Sequence, residues 1–333
     1  MNEYTTPINF IDLKTQQTLI RPKLDLAIKK VLDHGQYIMG PEVFQLEEKL
    51  KSYVDAKHCI SCSSGTDALI IPLMAKGIGP GDAVITTSFS YIATAEVIAL
   101  LGATPVFCDI YPKTFNLDPN GLEEAYDKAV FEGLKPKAII SVDLFGLPAR
   151  YRLINDFAKA KNLFLLEDAA QGFGGKIGQQ KACTFGDVSS TSFFPAKPLG
   201  GYGDGGAIFT DNDQLAEKMR SIRVHGTGKD KYDNIRLGLN GRLDTIQAAI
   251  LIEKLSLFES ELIMRNKIAK IYSNNLSSNY IKPHIPNEYF SSWAQYSILF
   301  NNDEKRDKII SLLNSNKIPS MIYYYLVMKL FYL

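Results

Sequence analysis

The sequence predicts an α/β protein built on a mostly parallel central sheet flanked by helices, with a smaller C-terminal α/β domain. Three observations carry that prediction. Short apolar runs alternate with segments of helical period over most of the 333 residues. Strands separated in this way by helices imply βαβ units, whose crossovers cover both faces of a parallel sheet. A chain of this length can also bury one large core and a second, smaller one.

The elements follow in order. Two helices come first, roughly Pro22 to His34 and Pro41 to Val54, each with proline in its first turn, where the missing N–H has no helical partner to lose. Gly35 stops the former. KHCISC, DAVITT, TPVFCDI, KAIISVDLFG and NLFLLED read as strands. GTDALIIPLMAKGI, YIATAEVIALLG, NGLEEAYDKAVFEGL and YRLINDFAKAKN read as helices, and Pro72 should kink the first of these. A long amphipathic helix begins near Arg242 and runs through QAAILIEKLSLFESELIMRNKIAKIY. It leads to a unit holding a strand, WAQYSILF, and a helix, EKRDKIISLLNSN. The expected division is a large domain over 1–241, including the N-terminal helices, and a small domain over 242–333.

Composition removes several classes of function. A net charge of +1 leaves no clustered basic excess for a nucleic-acid footprint. No stretch has the apolar length of a membrane span, and MNEYTTPINFIDLK lacks the basic start and apolar core of a signal peptide, so a cytoplasmic location is expected. Cys59 and Cys62 form a C-x-x-C, but a strand sends positions i and i+3 to opposite faces, and no second pair exists to complete a zinc site. They read as small buried hydrophobes. The four histidines show no metal spacing, so no metal site is expected.

Chemistry concentrates at strand ends, where open parallel sheets bind ligands. In SFFPAKPLGGYGDGG, Lys197 stands between Pro195 and Pro198, which exclude it from helix and ladder and present it from a fixed turn. A lysine amine whose pKa is lowered is a nucleophile toward carbonyls. Asp168 ends the strand FLLED; it is either a helix cap or salt bridge, or the carboxylate that keeps a pyridine nitrogen protonated, as a pyridoxal phosphate (PLP) enzyme needs. Gly65, Thr66 and Asp67 open a helix after HCIS, which is either a plain Ser/Thr cap or a phosphate cradle. Ser192, five residues before Lys197, could add a hydroxyl to that phosphate. Tyr91 sits at a strand-to-helix junction, where it either packs or covers a flat ring.

The segments GQYIMGPEV, SSGTDAL, SFSYIATAE, EDAAQ, SFFPAKPLGGYGDGGAI and LNGRLDTIQAAIL closely resemble the DegT-type sugar-nucleotide aminotransferases, which are fold-type I PLP-dependent transferases. The resemblance runs from about Asn9 to Tyr324, with the blocks in family order and spacing. FIDLKTQQ, DHGQYIMGPEV and HCISC look most like the branch acting on UDP-2-acetamido-2-deoxy-3-oxo-glucuronic acid, which serves O-antigen and surface-polysaccharide synthesis. The resemblance implies Lys197 as the Schiff-base residue and Asp168 as partner of the ring nitrogen. It also implies Gln171 near the ring hydroxyl, Tyr91 stacked on the ring, and Gly65, Thr66, Asp67 and Ser192 around the phosphate. Asn240 would reach that phosphate from the second subunit of a homodimer with a shared active site. Arg242 and Tyr324 would touch substrate.

The same resemblance implies L-glutamate as amino donor, leaving 2-oxoglutarate, and a UDP-linked keto-sugar as acceptor; a 4-keto or dTDP-linked sugar is the alternative. A related dehydratase subgroup carries histidine at the lysine position, so Lys197 argues against it. A nicotinamide-dependent oxidoreductase would show G-x-G-x-x-G after the first strand, where SSGTDA stands instead. After IPSMIYY the final nine residues, from Tyr325, depart from the family pattern. The expectation is therefore a truncated or frameshifted product with an incomplete small domain, and a PLP binder of impaired activity is a rival reading.

Overall fold

The computed structural model describes residues 8–230 and 232–324. The segment from Tyr325 onward, which carries the expected departure from the family pattern, lies outside the described residues. Helix α1 (Leu13–His34) is followed by α2 (Pro41–Val54), β1 (His58–Cys62), α3 (Gly65–Ala75), β2 (Asp82–Thr87), α4 (Ala93–Leu100), β3 (Thr104–Cys108), α5 (Leu122–Phe131), β4 (Lys135–Val142), α6 (Tyr151–Ala160) and β5 (Phe164–Asp168). Two short strands, β6 (Lys176–Ile177) and β7 (Gln180–Lys181), precede β8 (Val188–Ser192), β9 (Gly206–Thr210) and α7 (Asp213–Arg223). The chain continues through α8 (Thr245–Leu255), α9 (Phe258–Asn275), β10 (Tyr289–Phe290) and α10 (Asp303–Ser315).

Seven strands form the central sheet in the order β1-β9-β8-β5-β4-β2-β3. All neighbours run parallel except β9, which is antiparallel to both β8 and β1. The sheet is therefore mostly parallel, as the alternation of strands and helices requires. One face packs against α2, α5, α6 and α8 through Leu46, Ala125, Ile154 and Leu251; the other packs against α3, α4 and α7 through Ile71, Val97 and Met219. Cys59 and Cys62 lie on these two opposite faces, and all four cysteines are unpaired and buried.

Three elements differ from the sequence expectation, each for a local reason. Helix α1 starts nine residues before Pro22, because the Asp12 carboxylate accepts the Thr15 N–H at 3.0 Å and the Thr15 hydroxyl at 2.6 Å. Pro22 is thus interior; burial of Ile20 and Leu24 against Ile250 carries the helix past the missing donor. The helix expected from Arg242 through Tyr272 is two helices. At the break, Ser256 donates its hydroxyl back to Glu253 O at 2.6 Å, and Phe258 and Leu262 turn inward beside Gly174.

WAQYSILF is not a strand. Trp293 takes a left-handed backbone (φ 50°) and donates its indole N–H to Asn266 on α9 at 2.9 Å, while Tyr296 stacks between Trp293 and Tyr272. Side-chain anchoring to α9 thus outcompetes the ladder, which survives as one isolated bridge, Ile281 to Leu299. The strand of this region is instead β10, paired antiparallel with β6.

Candidate active site

The β8–β9 connection carries Lys197. Ser192 faces Gly206 across the ladder, and just beyond it Phe193 and Gly205 are joined by an N–H···O bond of 2.8 Å. Gly201 N–H then returns to Phe193 O at 2.7 Å, which closes the base of the loop. Pro195 and Pro198 cannot donate to any ladder, so Lys197 is left in a turn, with its own N–H on Phe194 O at 2.8 Å. Removal from water lowers the pKa of its amine; the negative charge of Asp168 pulls in the opposite direction and is the smaller influence.

Asp168 ends β5 and is 4% exposed. Its Oδ2 accepts the Thr94 hydroxyl at 2.9 Å and its Oδ1 accepts the Ala170 N–H at 3.1 Å. Burial raises its pKa, while these two bonds and Lys197 lower it. A carboxylate offers about four acceptor sites, so two donors leave room for a further N–H. Neither of the ordinary roles weighed for it is met: it does not cap a helix, and among the described residues it makes no salt bridge.

Gln171 follows in the same turn, 5% exposed, with Oε1 accepting Phe145 N–H at 2.6 Å and Nε2 donating to the Tyr324 hydroxyl at 3.3 Å. Burial pushes the Tyr324 phenol up to about 12, and its ring meets Phe89 edge-on at 5.4 Å.

The N-terminus of α3 faces the start of the lysine loop. Ser64 caps the helix by accepting Asp67 N–H at 3.0 Å, and the Asp67 carboxylate accepts the Ser63 hydroxyl. Among the described residues, the N–H groups of Gly65 and Thr66 have no partner. Gly65 lies so close to Ser192 that a Cβ there would sit 2.6 Å from Ser192 Cβ. Ser192 accepts Phe194 N–H at 3.3 Å, so its own hydroxyl hydrogen is free to donate. Of the two readings, the cap is present and takes Asp67 N–H; two amides and one hydroxyl are left beside it at a positive helix end, where an anion would fit.

Tyr91 is 60% exposed between β2 and α4, so its ring is not core packing. Asn240 is exposed and accepts Arg242 Nη2–H at 2.5 Å, while Arg242 Nε is buried without a partner. Gly241 between them accepts Ser63 N–H at 3.0 Å, which sets this segment beside the α3 cap. Sequence reasoning missed Thr94, although it stands three residues after Tyr91 in SFSYIATAE. It also missed Asp143 and Glu167, two fully buried carboxyl groups behind Asp168.

The arrangement suits a molecule with three parts: a phosphate for the Gly65 and Thr66 amides, an aldehyde for Lys197, and a protonated ring nitrogen for Asp168. Gly65 fits that use, because any side chain there would close the space between the amides and Ser192.

Known proteins resemble the chain over nearly its whole length. The family model for the DegT/DnrJ/EryC1/StrS aminotransferase family matches residues 19–332. A UDP-2-acetamido-2-deoxy-3-oxo-D-glucuronate aminotransferase of Pseudomonas aeruginosa is 48% identical over 95% of this chain and 86% of that protein. The crystal structure of a DegT DnrJ EryC1 StrS aminotransferase from Brucella abortus superposes with a TM-score of 0.94 at 49% identity, covering 97% of this chain and 86% of the other. NtdA from Bacillus subtilis, solved with bound cofactor PMP, gives a TM-score of 0.88 at 30% identity, over 98% of this chain and 74% of that one.

Proposed function

The chain belongs to the DegT/DnrJ/EryC1/StrS aminotransferase family, and we propose that it is a PLP-dependent enzyme that aminates the 3-keto group of UDP-2-acetamido-2-deoxy-3-oxo-glucuronate. One observation carries the reading. The desolvated amine of Lys197, the buried carboxylate of Asp168 and two unbonded helix-end amides come together at the carboxyl ends of β8, β5 and β1, three strands of one sheet.

PLP, when bound, supplies an aldehyde and a ring that takes up negative charge from the reacting carbon. The chain's own residues do the rest. Gly65 and Thr66 N–H groups and the Ser192 hydroxyl hold the phosphate, and Tyr91 lies over the ring. Asp168 holds a proton on the ring nitrogen; Thr94 and Ala170 fix the carboxylate so that it stays an acceptor. Lys197 Nζ, kept toward its neutral form by burial, tethers the cofactor. Once released, it takes the proton from the carbon bearing the donor's amino group. Gln171 lies beside the ring hydroxyl, and Arg242 and Tyr324 face substrate; the buried, unpaired Nε of Arg242 supports that role.

L-glutamate as donor, 2-oxoglutarate as its product and a place in O-antigen synthesis belong to the same proposal. So does a homodimer in which Asn240 serves the partner's phosphate. The exposed apolar side chains Leu19, Leu26, Leu32, Tyr37 and Ile38 support such a dimer. The four unpaired cysteines are consistent with the cytoplasm. A larger cofactor-holding unit over 1–241 and a smaller one over 242–333 complete the reading, supported by a central sheet that ends before α8.

The test has two parts. Borohydride reduction of the holoenzyme should fix a pyridoxyl tag on Lys197 alone; a tag elsewhere, or none, refutes the site. An end-point assay over UDP- and dTDP-linked 3-keto and 4-keto sugars, read by product mass, should single out the UDP-linked 3-keto acid. Amination of a 4-keto or dTDP-linked sugar in its place refutes the substrate.

A further inference from the structure

Behind Asp168 lie two carboxyl groups that the reaction does not use. Asp143 and Glu167 are both 0% exposed, and each acts on the other's titration. We propose that they share one proton, carried on Asp143 Oδ2, and that the pair is the positioning device for the turn that bears Asp168 and Gln171.

The donor inventory assigns the proton. Glu167 accepts three hydrogens: Cys183 N–H at 2.7 Å on Oε1, and Phe185 N–H at 2.8 Å and the Ser189 hydroxyl at 2.6 Å on Oε2. Asp143 Oδ1 accepts the Tyr151 hydroxyl at 2.8 Å and Ala149 N–H at 3.0 Å. Among the described residues, Asp143 Oδ2 alone of the four carboxyl oxygens has no donor, though it is buried. Two ionised carboxylates in contact cannot both persist in a dry interior, whereas one proton between them removes a charge and gives the orphaned oxygen its bond. Burial is the largest influence raising either group, and Glu167 adds to it at Asp143.

Charged and titratable neighbours come from every side. Tyr151 comes from α6, Cys183 from the segment before β8, Asp168 from β5, and Tyr289 from β10 with Arg150 near it. The groups acting most strongly on either carboxyl include no cation.

The brace runs through backbone. Asp143 N–H donates to Asp168 O at 3.0 Å, and the Asp143 carboxyl lies against Gly172, where a Cβ would collide with it. The turn from Asp168 to Gly172 is thus held between the β4 end and the pair. Its importance for catalysis rests on the function proposed above; the shared proton does not.

Denaturant unfolding of the full-length protein from about pH 5 to about pH 9 tests the proton. A carboxyl whose folded pKa is raised keeps its proton where the unfolded chain has lost it. Stability then falls as pH rises from the ordinary carboxylate range toward the raised value. The unfolding constant of the wild type should climb about tenfold more per pH unit than that of Asp143→Asn, which has no such proton to lose. Glu167→Gln, whose amide can donate to Asp143, should flatten the slope in the same way. Wild-type slopes in both variants overturn the shared proton.

Positioning is read on the holoenzyme. Asp143→Ala should lower kcat by about tenfold or more with KM little changed and shift the visible absorbance of the bound cofactor, and Asp143→Asn should restore both. Tyr151→Phe, which deletes one donor and little volume, should give a smaller loss of the same kind. Unchanged kcat and absorbance in both Asp143→Ala and Tyr151→Phe overturn the positioning role. A colourless wild type that keeps the slope difference refutes the cofactor reading and leaves the shared proton standing.

Discussion

Glu167 and Asp168 are successive residues of one strand, both buried, yet they serve opposite faces of the sheet. Glu167 shares the side of Leu165, above α6, where three donors and Asp143 close around it. Asp168 shares the side of Leu166, toward α3 and α4, and meets two donors and the charge of Lys197. Acceptor capacity separates them. A saturated carboxylate fixes structure, and one left with lone pairs to spare can act on a ligand.

The largest effect expected on the open face is from Lys197→Ala, which should cut turnover by about 10³-fold or more and abolish the visible absorbance of bound cofactor while the fold survives. Normal turnover in that variant would break the comparison at its root. Next comes Asp168→Asn, with a loss of about 10²-fold or more in kcat and cofactor still bound. Dialysis against apo-protein distinguishes a binding loss from a rate loss.

Gly65→Ala should act through the cradle. Its Cβ would press on Ser192, and about 1–3 kcal/mol of overpacking corresponds to roughly ten- to hundredfold weaker cofactor binding. Equilibrium titration with PLP gives that ratio directly. Thr94→Val removes one donor from Asp168, so its pKa rises further. Because the carboxylate is the working form, activity is lost as pH falls through that pKa. The acid limb should therefore move up by about one pH unit, with less than a tenfold loss near neutrality.

The smallest functional effect should come from the saturated face. Ser189→Ala deletes one of three donors to Glu167 and should cost about 1–2 kcal/mol in unfolding experiments while kcat stays near normal. A drop in kcat as large as that of Thr94→Val would show that the two faces are not functionally separate.

Much of this was legible in the chain itself. Pro195 and Pro198 declare the lysine turn, and FLLED places a carboxylate at a strand mouth, because both are local consequences of backbone chemistry. The partners of that carboxylate were not legible. Asp143 meets Glu167 only through the parallel register that sets Val142 against Asp168, and register between distant strands leaves no local mark. WAQYSILF misled for a related reason: its alternation suits a ladder, but Trp293 and Tyr296 are claimed by α9. The bent course at Ser256 was equally hidden, since apolar spacing continues through it and the break depends on where Phe258 packs into the core.

The closed base of the lysine loop has a mechanical consequence. Phe193 is knotted to Gly205 and Gly201, and Gly206 lies flush against Ser64 of the α3 cap, so the loop and the helix end form a single rigid piece. On the proposed function, any tug on the Lys197 side chain as its bond to a ligand formed or broke would pass into the sheet and the α3 amides together. The amine can then swing on its flexible methylene stem while both anchors keep station, as a boom pivots on a fixed mast.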